Sequence, residues 1–562
     1  MAESWDVIAI GGGPAGAATA ISAQERGCRV LLLEAESFPR HHVGESLVSL
    51  WPVFETLGVA DEMDATFQHK RGSCRIWGRD PSIKWTDFDS RIGSRNYSLQ
   101  VERSLFDSIL LRRAAAVGAS VREGRRVSEV LWDGDRAVGV RYRTRDGDIA
   151  ETHSRFVVDC SGRSSVIARQ LKLHSIDPFY PDLSVYGYFE HARRFDGAYG
   201  GNLFIEAVPW GWFWFIPLHT GQASVGLVCD RSSRILLQER GLAQFFWDAI
   251  ASSTRICRLL APATLVWGPT ATASYGYSSA RYAGHGWLTA GDAGAFVDPM
   301  WATGVANALV DGTLAGAVIE AVLSGRVREE DALSFYGREL TGRAERILTL
   351  VKFVYRCNRL HAEQPFWARR HRALEGEQLR VGQIMRRFSR DPSVQYFRNA
   401  FAGMGVDSDT LAPLDEELSR LGRLDRSAVQ LLQDLNGWVP ALGATVRLRR
   451  GPGLYADRVV EGLEVDNDGV TEFAGDRFTA AALEAVDGRR TAREIIDGVA
   501  ATAPAGEVLF TRLRLVATFL DAHRHGILEA RPVRPPVETE AAAASMRGGE
   551  WPAVLPNKHS LE

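Results

Sequence analysis

The spacing of hydrophobic and polar positions changes several times along the chain, and each change marks a different kind of element. Val7 to Ile10 is a short apolar run suited to a buried strand. Gly11, Gly13 and Gly16 follow as G-x-G-x-x-G. Small residues from Ala17 to Arg26 then predict a helix, and Arg29 to Leu33 a second strand ending at Glu34. Strand-then-glycine patterns return in "RFVVDCSGRSS" (155–165) and "GWLTAGDAGAFVDPMWATGVANAL" (286–309). Between them lies "WGWFWFIPL" (210–218), a heavily aromatic strand. It suits a dense core, a stacking surface for an aromatic ligand, or a partition inside an active site. After about residue 330, apolar residues recur at three and four spacing in "RAERILTLVKFVYRCNRL", which predicts helices. The arginines of "FWARRHRALEGEQLRVGQIMRRF" are expected on a solvated helix face.

From about Ala441 the pattern alternates as hairpin strands do. A helix, an Asp487-Gly488 turn, a helix capped by Thr491 and a third helix follow. The expected organisation is therefore residues 1–330, a helical region 331–440, a small α+β module 441–532, and a tail 533–562. The tail is rich in proline, alanine and glycine, and is expected to be disordered.

A chain of 562 residues accommodates several domains. Its net charge of −3, with no basic block, argues against nucleic acid or an anionic membrane as the main partner. Six scattered cysteines without a CxxC pair predict neither a metal site nor a disulfide framework. The N-terminus enters a strand directly, and no uncharged apolar run reaches about 18 residues. The expected location is the cytoplasm. Oligomeric state cannot be read from these features.

The first βαβ segment carries specific chemistry. Gly11 permits a tight turn, Gly13 lets the backbone approach a pyrophosphate, and Gly16 lets the helix pack closely. The helix amides then face the phosphates, and Glu34 stands where a carboxylate accepts from ribose hydroxyls. This fingerprint alone does not separate FAD from NAD.

The later glycine segments resemble the FAD-binding domain shared by aromatic hydroxylases and their relatives. The resemblance implies an α/β, Rossmann-like fold with a substrate β-sheet. In that family Asp292 after Gly291 would hold the ribityl chain, and Gly304-Val305 would bring backbone amides to the flavin ring. Ala15, Arg40, Glu45, Ser46, Arg103 and Gly162 fall at the other positions where it implies cofactor contact. A second glycine fingerprint for a nicotinamide dinucleotide is missing, so reduced FAD from a separate flavin reductase is expected.

Within this family, Trp212-Phe-Trp214-Phe-Ile216-Pro217 (W-x-W-x-I-P) resembles flavin-dependent halogenases, as does Lys70 ahead of Trp77-Gly78. The likeness is to the branch that acts on phenols and pyrroles and carries an extra C-terminal domain. It implies that Trp212 and Trp214 separate flavin from substrate. Chloride or bromide would bind at Thr303 and Gly304, and Lys70 would relay the oxidised halogen to an electron-rich ring. The aromatic substrate would be free or carried on a protein or peptide. The module 441–532 resembles a peptide-binding winged-helix domain; it would grip a peptide or buttress the enzyme. One departure is Ala302, where relatives carry serine, and another is Ala306, where histidine is frequent. They leave a second reading open, a halogenase-like monooxygenase that hydroxylates an aromatic ring.

Overall fold

The computed structural model describes residues 4–375 and 435–532, with breaks at 88–94, 177–178, 180–181, 231–232, 274–275, 436, 456–457, 468–469 and 505–506. The helical reading of 376–434 and the disordered reading of 533–562 lie outside the described residues. The chain folds into two compact units, Met1–Gly422 with Thr445–Ala480, and Arg423–Ala444 with Ala481–Glu562.

The first unit is built on two sheets. In one, the strands Trp287–Thr289, Ile149–Asp159, Ser4–Ile10, Val30–Leu33 and Ser120–Arg122 lie side by side and parallel. The antiparallel hairpin Arg126–Asp133 and Arg136–Arg143 joins the start of Ile149–Asp159. The expected run Val7–Ile10 is the buried end of a longer strand, since Ser4 to Asp6 are wetter. The helix expected from Ala17 begins earlier, at Pro14, because a first-turn residue needs no amide hydrogen.

That helix, Pro14–Glu25, is buried around nearly its whole first two turns and packs against Gly304–Leu323. Small residues set this close approach: a Cβ at Gly312 would lie 2.3 Å from the Ala15 carbonyl oxygen. Gly304–Leu323 is the one helix among the described residues long and apolar enough to cross a membrane, and it is packed within the core. A helix apolar around most of its circumference is what such a position requires.

The second sheet has strand order Thr264–Ala273, Asp182–Glu190, Ala223–Asp230, Gly211–Pro217, Leu203–Val208, Gly72–Ile76 and Ile83–Asp87. Only the Leu203–Val208 and Gly72–Ile76 pair is parallel. Alternate residues of Gly211–Pro217 enter two different cores. Trp212, Trp214 and Ile216 share one, while Phe213 and Phe215 occupy the other. Every residue of this strand is buried.

The helix Glu329–Cys357 follows, then Pro365–Ala373. Arg370 corrects the expected solvated arginine face: it is fully buried. Its guanidinium lies 3.5 Å over the Phe366 ring and 3.6 Å from the buried Asp230 carboxylate. Stacking and charge pairing replace the lost hydration.

The region expected as a single module, 441–532, is divided between the two units. The antiparallel strands Val446–Tyr455, Arg458–Asn467 and Val470–Ala474 belong with the first, where Val459 joins the core around Gly304–Leu323 and Glu464 pairs with Arg338. In the second unit, Trp438–Leu442 pairs with Leu528–Pro532 beside the helices Ala492–Ala500 and Val508–Arg524. Thr491 caps Ala492–Ala500 in a full capping box with Glu494, as its sequence position predicts.

Candidate active site

One cavity of about 550 Å³ joins the two sheets of the first unit. Gly11, Gly13 and Ala15 form its floor at the start of the first helix, whose first-turn amides have no intrahelical acceptor. Glu34 is a buried lining residue; its carboxylate accepts from the amides of Gly12 (2.5 Å) and Glu36 (2.7 Å), which fixes it on the turn. Gly16 lies behind the floor, where an added Cβ would sit 1.8 Å from the Gly11 carbonyl oxygen. Its role in the turn is therefore packing.

Arg40, Glu45, Ser46, Arg103, Gly162, Asp292, Gly304 and Val305 all line the same cavity. Arg103 is held by a two-pronged ion pair with the buried Asp107, at 2.9 and 3.1 Å, and donates to the Val43 carbonyl. Glu45 accepts from the Gly44 amide (2.9 Å) and from the Tyr188 hydroxyl. Burial pushes the Asp292 carboxyl up to about 6 against the opposing charges of Arg103 and Arg163. Gly291 itself is set back; its amide donates to Asp311 (3.1 Å), which Arg343 also binds.

At the far end the walls are Trp212, Trp214, Phe296, Pro299 and Ala302. Trp214 donates to Ser224 (3.2 Å) on the adjacent strand, and Trp212 to Tyr355 (2.8 Å) on the Glu329–Cys357 helix. Ala302 has a left-handed backbone (φ 53°), which turns the chain into the Gly304–Leu323 helix. Thr303 is half-buried and is not among the lining residues, whereas Ala302 and Gly304 on either side of it are.

Lys70 is also set behind the cavity wall. It is only 3 % exposed and donates to Ser46 Oγ (3.0 Å) and to the Leu47 carbonyl. Ser46 does line the cavity, so one side chain separates the ammonium from that space. Burial, and next the nearby Arg75 charge, push the Lys70 pKa down to about 7.

The residue set suits a dinucleotide carrying a flavin: glycine and alanine floor, carboxylates at both ends, and an aromatic wall. Side chains that sequence reasoning missed are His41, His42, Arg163 and Tyr186, which line the cavity, and Asp298 and Tyr355, which brace its wall. His41 and His42 stand between the expected contacts Arg40 and Glu45, which was the available signal. Tyr355 gave no signal beyond helical spacing.

Residues 4–351 match the family model described as "FAD binding domain", so the fold and cavity define an FAD-dependent oxidoreductase. A tryptophan 2-halogenase of Chondromyces crocatus is 32 % identical over 384 residues, covering 67 % of this chain and 72 % of that protein. The flavin-dependent halogenase armH3 of Armillaria mellea is 33 % identical, covering 63 % of this chain and 74 % of that one. Among solved structures, the myxobacterial chondrochloren halogenase CndH is 32 % identical with a TM-score of 0.63, over 73 % of this chain and 96 % of that chain. The flavin-dependent halogenase CmlS shares the fold over 94 % of this chain and 96 % of that chain, with a TM-score of 0.71 at 22 % identity. The protein belongs to the flavin-dependent halogenases and halogenates aromatic substrates with FAD and halide.

Proposed function

We propose that Lys70 delivers the halogen and that Trp212 and Trp214 keep the substrate out of the flavin cavity. The observation that carries this reading is the placement of the Lys70 ammonium behind Ser46, buried and outside a cavity walled by both tryptophans. Gly11, Gly13, Ala15, Glu34, Arg40, Glu45, Ser46, Arg103, Gly162, Asp292, Gly304 and Val305 would hold FAD, with Gly16 and Gly291 shaping its turns. Bound in reduced form, FAD supplies the electrons with which dioxygen is activated to oxidise halide.

The chain's own residues do the rest. Backbone amides near Gly304, at the start of a helix, favour an anion there. The indole rings fill the space through which an organic ring would otherwise reach the cofactor. Lys70 titrates near neutrality, so its Nζ either donates to hypohalous acid as an ammonium or accepts the electrophilic halogen as an amine. Either way the reactive halogen is held at a fixed atom while it meets the ring.

The substrate we favour is a phenol or pyrrole, free or tethered to a carrier or peptide, with reduced FAD coming from a separate reductase. We place the reaction in the cytoplasm, where the six free thiols would persist. The test uses reductase-generated reduced FAD, chloride or bromide, and a panel of phenols and pyrroles, with products read by halogen isotope pattern. Lys70→Ala should still oxidise reduced FAD yet form no halogenated product. Halogenation retained in that variant would refute the assignment, and a hydroxylated product from the wild type would refute the partition.

A further inference from the structure

The two tryptophans of the aromatic wall are held in different ways. Trp214 is fixed within its own sheet, by Ser224 on the next strand. Trp212 is fixed from outside it. Its indole Nε1 donates to the Tyr355 hydroxyl at 2.8 Å, and that hydroxyl donates to Asp298 Oδ2 at 3.2 Å. Asp298 Oδ1 in turn accepts from the Met300 amide at 2.7 Å and caps the turn Pro299–Trp301. All three side chains are at most 2 % exposed.

That turn runs through Ala302 into Gly304, where the cavity wall meets the start of the Gly304–Leu323 helix. One phenol therefore joins three segments far apart in the chain: the tryptophan strand, the aspartate–proline turn and the Glu329–Cys357 helix. A hydroxyl accepts and donates at once, which neither phenylalanine nor a second carboxylate could do here. The ring is itself packed on all sides by Trp77, Phe179, Phe366, Trp367 and the Arg370 guanidinium, so the hydroxyl has little freedom to leave its place.

We infer that Tyr355 is a positioning residue that sets the Trp212 ring and the Asp298–Gly304 turn together, and so keeps the partition closed while oxidised halogen is on the enzyme. The part concerning closure rests on the partition proposed above; the hydrogen-bond link does not. Losing the hydroxyl frees Trp212 to rotate about its side-chain bonds, and oxidant then escapes to solvent instead of reaching Lys70.

The experiment compares wild type, Tyr355→Phe, Trp212→Phe and the double variant, all reconstituted with FAD. Three signals are read: the Trp212 indole ¹⁵N–¹H resonance, assigned by its loss in Trp212→Phe; the visible spectrum of bound oxidised FAD; and chlorination of taurine in bulk solution per reduced FAD consumed. In Tyr355→Phe the resonance should move, the FAD spectrum should change, and taurine chlorination should rise severalfold. The double variant should release no more oxidant than Trp212→Phe, because the hydroxyl acts through that ring. An unmoved resonance with an unchanged spectrum overturns the inference, as does additive release in the double variant. Wild-type enzyme that forms no oxidised halide at all would count against the partition and lysine roles, while the resonance and spectrum would still decide the link. If Tyr355→Phe does not fold, Asp298→Asn should shift the same resonance in the same direction, and no shift there overturns the inference.

Discussion

The indole of Trp214 lies over Gly226, its directly paired neighbour on the next strand, so closely that a Cβ on Gly226 would come within 2.1 Å of the ring. Tyr186 pairs with Gly226 from the other side, with its ring centroid 6.2 Å from that of Trp214. The glycine thus leaves a slot in the sheet that the aromatic wall fills.

Gly226→Ala should push Trp214 out of this slot. Overpacking of this kind costs about 1–3 kcal/mol, read as a lowered melting temperature. Halogenated product per reduced FAD should fall at the same time, because the displaced ring opens the wall. A variant with wild-type yield would show that Trp214 does not need this position.

Lys70 gives a pH signature. Between pH 7 and 10.5 the unfolded chain keeps a proton that the folded chain has released, so this group makes stability rise with pH across that window. Below it the full cost of burying the ammonium remains. Lys70→Met should therefore be more stable than wild type at pH 6, by on the order of a few kcal/mol. The gap should narrow toward pH 10 in urea titrations, and a gap independent of pH would refute the depressed pKa.

Asp292 has the opposite sign. Its carboxyl titrates at about 6 in the folded protein against 3.8 ordinarily, so stability is lost as pH rises through that interval. Asp292→Asn should stabilise the FAD-free protein at pH 7.5 by about 3 kcal/mol. It should also weaken FAD binding about tenfold or more if Asp292 is the acceptor for the ribityl hydroxyls, as proposed. Flavin fluorescence titration and thermal melts separate the two effects.

Gly13 and Gly16 should fail differently. A Cβ at Gly13 meets only the end of Arg40, at 3.3 Å, so Gly13→Val should fold and lose FAD. Gly16→Ala collides with the turn itself and should lower the stability of the FAD-free protein too. Equal melting of both FAD-free variants would contradict this division.

Thr303 does not line the cavity, so its hydroxyl has little to offer a halide there. Thr303→Val should leave the half-saturating halide concentration within about twofold of wild type, under ~0.5 kcal/mol. A tenfold rise would place the hydroxyl on the ion.

The W-x-W-x-I-P strand shows where sequence reading stops. Period-two alternation put Trp212 and Trp214 on one face, and they do share a core. It could not say that one ring answers to a paired glycine and the other to a tyrosine 143 residues away. Arg370 departs from the expected wet face for a related reason: Arg372 beside it is exposed as composition predicts, but Asp230 and Phe366 converge on Arg370.

By itself the sequence determined what is local and covalent: the glycine turn, the acid after the second strand, the alternation of the aromatic strand and the capping box at Thr491. Their physics depends on neighbours a few residues away, so spacing alone specifies them. Only the tertiary structure decided that Lys70 is buried behind Ser46 and titrates near neutrality, that Ala302 and Gly304 line the cavity while Thr303 does not, and that Tyr355 joins Trp212 to Asp298. Desolvation and hydrogen bonding across the fold depend on which distant segments pack together, and no local pattern records that.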